Sequence, residues 1–376
     1  MASERIRVGI IGASPDRGWA TRAHIPALRT LPGLELTAVG TSRIESAREA
    51  ARIFGAAHAF ADPRELAEHP DVDLVVITVK VPAHDELVRA ALGAGKHVYS
   101  EWPLGLNTGE AVELARLAHA AGVHHAVGLQ SRYDPAIRRA RELVAEGYVG
   151  QVVSATVYSA LTKRAGGRLP AWAAYTLDRC NGAGVLEVAV GHTLDAVEYV
   201  LGDIAELSAE LAIRVPRSVV QETGETIDNT SPDHIRVHAT VSSCAVLSAH
   251  IHDAKATDGR TRIEIAGTEG DLAIVSDVHG GAGIQMCGLR LLGSRGVGGE
   301  WRELVASDAA TVLEAESGNV GRLYARLADD IRTGTHTVAD FDTAVHVHTL
   351  LDAIRRSAET GTRVRPGATT AAGSRS

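Results

Sequence analysis

Cysteine is scarce in this chain: Cys180, Cys244 and Cys287 are the three present, and none stands in C-x-x-C spacing. An odd, scattered set argues against a disulfide framework or a structural zinc site and fits a reducing compartment. No apolar run approaches the roughly 20 residues that cross a bilayer. The start, Met1-Ala2-Ser3-Glu4-Arg5, runs directly into a strand pattern without a signal-peptide core, so a cytoplasmic protein is expected. Positive charge is neither concentrated nor in excess. The net charge of -8 is spread along the sequence and leaves no basic face for nucleic acid or membrane. Lysine occurs only at 80, 96, 163 and 255, so every candidate catalytic lysine can be weighed. What is present is an ordinary globular composition, 45% hydrophobic and 22% charged, over 376 residues. That length exceeds what one compact domain usually holds and predicts two.

Strand and helix signals alternate over residues 6–128. Strands are predicted at Ile6–Ile11, Leu34–Val39, Asp73–Val79, His97–Ser100 and His125–Leu129. Leu74-Val75-Val76-Ile77 is a continuous apolar run of the kind covered on both faces in a parallel sheet. Helices are predicted at Trp19–Leu31 with a kink at Pro26, Arg43–Phe54, Ala83–Leu92 and Asn107–Ala121, the last capped by Asn107 with Glu110 at the capping-box position. This repetition predicts a doubly wound parallel sheet of the Rossmann type over residues 1–130. After a helix at Pro135–Glu146 the period changes to two. Val152–Tyr158, Glu206–Val215, His234–Val241, Ala245–His252, Arg262–Ala266 and Asp271–Val275 alternate apolar and polar residues, which predicts a large, open, mostly antiparallel sheet. Helices near Val188–Leu201, Asn319–Thr333 and Asp340–Glu359 complete a second domain over 131–365. The fold class is thus α/β followed by α+β. Residues 366–376, small and polar, are expected to be a disordered tail.

The first strand leads into Gly12-Ala13-Ser14-Pro15-Asp16-Arg17-Gly18-Trp19 and then a helix. Glycines there let a pyrophosphate approach the backbone, and the helix start supplies amide donors. The usual G-x-G-x-x-G is relaxed: Ser14 stands at the second glycine and Gly18 comes late. The strand before and the helix after give the loop its dinucleotide reading. The second strand ends Gly40-Thr41-Ser42-Arg43, without the acidic residue that receives a ribose 2′-hydroxyl in NAD enzymes. Thr41 and Ser42 offer hydroxyls and Arg43 a guanidinium suited to a 2′-phosphate, so NADP is expected before NAD. The plain alternative leaves Arg43 a solvated residue at a helix start.

Several segments in this order resemble the glucose–fructose oxidoreductase/inositol dehydrogenase (Gfo/Idh/MocA) family. They are the glycine loop with His24-Ile25-Pro26-Ala27-Leu28, Asp73–Ile77 with His84, Gly95–Leu104, Gly150-Gln151-Val152-Val153, Gly191-His192-Thr193-Leu194-Asp195, Gly267–Leu272 and Ser357–Gly361. The resemblance runs from Val8 to Val364. Within it, Gly12–Ala20 and Lys80-Val81-Pro82-Ala83-His84 look most like the Gal80-like branch, which includes a non-catalytic NADP-binding regulator. The resemblance implies a cofactor site that takes in Gly12, Ser14, Gly18, Trp19, Thr41, Ser42, Arg43, Lys80, His84, Glu101, Trp102 and Pro103. It also implies an NADP-dependent oxidoreductase acting on a sugar, cyclitol or related polyol or keto-sugar, assembled as a homodimer or homotetramer. The alternative it carries is a sensor that works through a protein partner.

Two residues depart from the family pattern. Glu101-Trp102-Pro103 has tryptophan where family enzymes carry a catalytic lysine, and Val188 stands where they carry an aspartate. Glu187 is one residue off that register, about 100° around a helix, and is expected to point elsewhere. His192 is then the candidate base, with Asp195 three residues on to fix its tautomer. Lys80, at the carboxyl edge of the fourth strand, either meets the nicotinamide ribose or substrate or is simply exposed. Lys163 lies in a polar loop that can reach the substrate pocket, while Lys96 and Lys255 read as structural and exposed. Tyr133 falls in a segment that lines the cofactor boundary in the family, and Trp172 and Tyr175 are candidates for stacking on a sugar. The pairs His250/His252 and His346/His348 show no third ligand at metal-site spacing, so no metal is expected.

Overall fold

A computed structural model describes residues 5–276, 283–307 and 312–367, without the side chains of 312 and 313. Most of the expected tail therefore lies outside the described residues. The first six strands are β1 (Ile6–Ile11), β2 (Leu34–Gly40), β3 (His58–Phe60), β4 (Leu74–Ile77), β5 (His97–Ser100) and β6 (His125–Val127). They form one parallel sheet in the order β3-β2-β1-β4-β5-β6, reversing direction between β1 and β4. All four residues of β4 are buried, as its unbroken apolar run requires for a strand covered on both faces. The helices between them are α1 (Ile25–Arg29), α2 (Ile44–Phe54), α3 (Pro63–Glu68), α4 (His84–Gly93) and α5 (Thr108–Ala121). Asn107 caps α5 by accepting from the Glu110 N–H at 3.0 Å. The predicted helix Trp19–Leu31 is divided differently from expectation: a π turn at Ala20–His24 precedes α1, and Pro26 sits in the first turn of α1, where its missing N–H costs nothing. Strand β3 and helix α3 leave no mark in the sequence pattern, because three and six residues are too short to carry a period.

Helix α6 (Pro135–Ala145) leads into β7 (Val152–Ala160), β8 (Arg168–Leu169), helix α7 (Gly191–Leu201), and β9 (Ile204–Ala212), β10 (Arg217–Val220) and β11 (Thr226–Asp228). Then follow β12 (His234–Val241), β13 (Val246–His252), β14 (Arg260–Gly267), β15 (Gly270–Ser276), β16 (Leu289–Arg295) and β17 (Arg302–Val305). Eight of these build the open sheet β17-β16-β15-β14-β7-β13-β12-β9, antiparallel throughout except for the β13–β7 pair. A small sheet, β11-β10-β8, sits apart. Along β12 burial alternates, with Ile235, Val237, Ala239 and Val241 buried and Arg236 and His238 exposed, so one face packs and the other is polar.

The last two helices, α8 (Val312–Thr333) and α9 (Phe341–Thr360), tie the halves together. Val320, Leu323, Tyr324 and Leu327 of α8 pack with Ile10, Val39 and Val76, covering one face of the parallel sheet. Helix α9 contributes Phe341, Val347, Leu350 and Leu351 to a continuous core that runs from the other face of that sheet to the inner face of the open one. The expected boundary near residue 130 is thus a boundary in sequence pattern: α8, from the second segment, completes the first. Among the described residues no helix is long and apolar enough to cross a membrane.

Candidate functional site

The carboxyl edge of the parallel sheet carries the glycine loop. Gly12 has φ +99°, and a Cβ there would come within 2.7 Å of the Thr78 hydroxyl and 2.9 Å of the Val79 side chain. Only glycine allows this turn. Gly18 also has positive φ, +106°, and faces open space. Next to it the indole N–H of Trp19 is buried without a hydrogen-bond partner. Thr41 donates to the Arg43 carbonyl at 2.8 Å, and Arg43, at the N-terminus of α2, is exposed with no described side-chain partner. A loop open to backbone approach, an orphaned donor and a free guanidinium fit a dinucleotide phosphate chain. Ser14 lends its carbonyl to the Thr21 hydroxyl at 2.5 Å, leaving its own side chain free of that contact.

The other residues expected at the cofactor divide. Glu101 lies behind the loop after β5, where its carboxylate accepts from His24 at 3.0 Å, and the other His24 nitrogen meets the Tyr324 hydroxyl at 2.8 Å. Gly128 makes room for that carboxylate, since a Cβ there would lie 2.7 Å from it. Lys80 is exposed, with its ammonium 4.6 Å above the Tyr175 ring, so it bridges the sheet edge to the loop before α7. His84, by contrast, has no nitrogen to offer a ligand. It is buried, and its two ring nitrogens face the carbonyls of Pro103 at 2.8 Å and Val79 at 3.0 Å. Its role is to tie the loop after β5 to the loop after β4. Trp102 is 5% exposed and Pro103 is buried, so neither presents a side chain to the cleft. The Trp102 indole donates to the Glu187 carbonyl at 2.9 Å and packs on His348, with ring centroids 4.7 Å apart.

A second π turn, Leu186–Val190, immediately precedes α7 and His192. Such turns insert a residue into a helix and recur at functional sites. Glu187 does point away, as expected: one carboxylate oxygen accepts from Arg355 at 2.6 Å and the other from the Gly184 N–H at 2.9 Å. Gly191 lies directly against Trp102, which seats the start of α7 against the loop after β5. His192 is buried, its Nδ1 has no partner, and burial holds its pKa down at about 3. Asp195 does not orient it. Arg132 Nε reaches both Asp195 oxygens, at 2.9 and 2.8 Å, and the guanidinium takes up the carboxylate in fork geometry. The expected His192–Asp195 pair is therefore corrected to an Arg132–Asp195 pair, because a full charge outcompetes a neutral imidazole for a buried carboxylate.

The remaining candidates fall outside this cluster or at its rim. Lys163 is half-buried, held below the ordinary lysine range by burial, and lines a cavity of about 10 Å³ with Thr176 and Ser231. Trp172 is 58% exposed near Tyr175. The Tyr133 hydroxyl accepts from the Ala339 N–H at 2.8 Å, which engages it in the α8–α9 turn. His250 and His252 form an aromatic group with His234 and Tyr158 on the outer face of the open sheet. His346 and His348, two apart on α9, face different partners, Glu198 and Trp102.

Comparison with known proteins gives two family matches. Residues 6–129 match the model described as an oxidoreductase family with an NAD-binding Rossmann fold, and residues 135–276 match the Gal80p C-terminal domain. Dehydrogenase aclE of Aspergillus oryzae is 35% identical over 249 residues, covering 64% of this chain and 68% of the relative. The 1,5-anhydro-D-fructose reductase of Ensifer adhaerens is 30% identical, with coverage of 71% and 74%. The galactose/lactose metabolism regulatory protein of Saccharomyces cerevisiae is 28% identical, with coverage of 72% and 67%. Among solved structures, a super-repressor mutant of Gal80p from Saccharomyces cerevisiae superposes with TM-score 0.86 at 24% identity, over 96% of this chain and 97% of that one.

Proposed function

We propose, from the premise that this chain belongs to the Gfo/Idh/MocA oxidoreductase family and carries a Gal80-like C-terminal domain, that it is an NADP-dependent oxidoreductase of a sugar, cyclitol or related polyol. The observation that carries the reading is the buried, unpartnered Nδ1 of His192, one residue after the Gly191 that packs on Trp102 of the loop after β5. Gly12, Ser14, Gly18 and Trp19 would receive the pyrophosphate, and Thr41, Ser42 and Arg43 the 2′-phosphate. When bound, the nicotinamide supplies hydride transfer at its C4. His192 is the proton acceptor: neutral over the physiological range, it receives the carbinol proton as the hydride leaves. Lys80, held over Tyr175, binds the substrate or the ribose from the opposite wall. Trp102 and Leu104 exclude water from behind.

The second reading, a non-catalytic NADP-responsive sensor with a protein partner, is favoured by one observation: an indole fills the place of the family lysine and is locked there. Titration with NADPH and NADH followed by a panel of polyols and keto-sugars separates the two. Turnover at an ordinary enzymatic rate supports the first, whereas tight NADPH binding with no turnover across the panel transfers the case to the sensor. The polar outer face of the open sheet, with Arg236, His238 and Glu264 on it, is proposed as the homo-oligomer surface. A monomeric mass by light scattering would refute that assembly.

A further inference from the structure

A cavity of about 430 Å³ opens where α6, α7 and α9 meet, lined by Arg132, Arg141, Tyr199, Glu198, Asp203 and His346. Three of these residues converge. One ligand atom each from Glu198, Asp203 and His346 lies within 4.8 Å of the others. We propose that Glu198, Asp203 and His346 bind a divalent transition-metal ion, Zn²⁺ or Mn²⁺, at the carboxyl end of α7.

The spacing suits a metal. Cis ligand atoms on bonds of about 2.1 Å stand roughly 3.0–3.4 Å apart. His346 Nε2 and Glu198 Oε2 are already at 2.9 Å. The Asp203 carboxylate has only to close a gap of at most 4.8 Å, and it is exposed and held by no described side-chain contact. Glu198 is oriented for the task, because its other oxygen accepts the Ile204 N–H at 2.8 Å and leaves Oε2 directed at the histidine. Glu198 also sits in the last turn of α7, where the helix dipole favours a cation. One imidazole and two carboxylates are a mixed set that suits Zn²⁺ and Mn²⁺ better than Mg²⁺ or Ca²⁺, and the cavity leaves positions for water. The two guanidiniums in the cavity are otherwise engaged, Arg132 by Asp195 and Arg141 over the Tyr199 ring at 4.2 Å. A second cluster, His58, His69 and Asp71, is also within 4.8 Å. It is poorer, since His69 Nδ1 already accepts the Asp71 N–H at 3.2 Å and Arg7 holds the Asp71 carboxylate at 3.1 Å.

The test is calorimetric titration of the chelator-treated full chain with ZnCl₂ and, separately, MnCl₂, with Mn²⁺ bound fraction followed by electron paramagnetic resonance. One site of micromolar affinity is expected for at least one metal. Glu198→Gln and His346→Ala should each weaken it at least ~10-fold, and His58→Ala should leave it unchanged. Glu198 is buried and its variant can lose stability, so Asp203→Asn, at the surface, is the decisive variant: a several-fold loss supports the site. No binding up to about 1 mM metal, or an affinity unchanged in Asp203→Asn, overturns it.

Discussion

The indole N–H of Trp102 donates to the main-chain carbonyl of Glu187 at 2.9 Å. That bond joins the loop after β5 to the π turn before α7, and Gly191 yields space to the ring, since a Cβ there would lie 2.6 Å from Nε1. The family lysine position has become part of the core between the two sheets. Trp102→Lys should therefore not restore family-like catalysis. Both Glu187 oxygens are already taken, so the new ammonium is buried without a carboxylate partner. A loss of about 2–4 kcal/mol is expected by denaturant melt, with no gain in turnover. A variant as stable as the parent and faster would contradict this packing argument.

Removing Asp195 exposes the Arg132 pairing directly. Asp195→Asn leaves a largely buried guanidinium without its countercharge, and a cost of about 3 kcal/mol is expected. Because Asp195 holds Arg132 rather than His192, the shape of the pH–rate profile should survive the change. A shifted profile at full stability would return Asp195 to the role of histidine partner.

His192→Ala should abolish turnover by about 10²–10⁴-fold while NADPH affinity stays within a factor of about two. The histidine belongs to α7, not to the glycine loop proposed to hold the pyrophosphate. With its pKa held down at about 3, the parent profile should show no histidine limb near pH 6.5. Retained activity in the alanine variant would shift the acid–base role to Lys80.

Arg43→Ala should erase the preference for NADPH over NADH. Its guanidinium has no described partner to lose, so the melting temperature should barely move. Equal affinities in the parent protein would remove the basis of the prediction.

Stability should fall as the pH drops below about 6.5. Burial lowers His125 and His348 to about 4 and His192 to about 3. These groups bind protons in the unfolded chain near 6.5 but not in the folded one, so their contribution is complete above 6.5 and is lost as pH falls toward 4. Asp134, raised to about 6 by burial, opposes them by an amount comparable to one histidine, so the net loss is smaller than the sum of the three. Each histidine is worth about 2 kcal/mol at pH 5 relative to pH 8. His348→Leu should flatten part of the fall in thermal melts, and an unchanged slope would locate the acid sensitivity elsewhere.

By itself, the sequence determined the alternation of strand and helix over residues 6–128, the glycine loop and its place after β1, and the two-residue period of the open sheet. Each of these is written in local spacing: a buried strand needs a run such as Leu74–Ile77, and a tight turn at positive φ needs Gly12. It also carried Glu187's exclusion from the family aspartate's place, because one position in a helix turns a side chain through a known angle. The tertiary structure alone decided who meets whom. Arg132 lies 63 residues before Asp195 and still takes its carboxylate, and Glu198 reaches His346 across 148 residues. Tyr324 in α8 comes back to His24 over 300 residues, closing the face of a sheet begun at residue 6. No local period encodes such pairs. They are set when two apolar helix faces bury against one sheet and the charged groups left between them must find a countercharge or a donor, because an unpaired buried charge costs more than any local preference supplies.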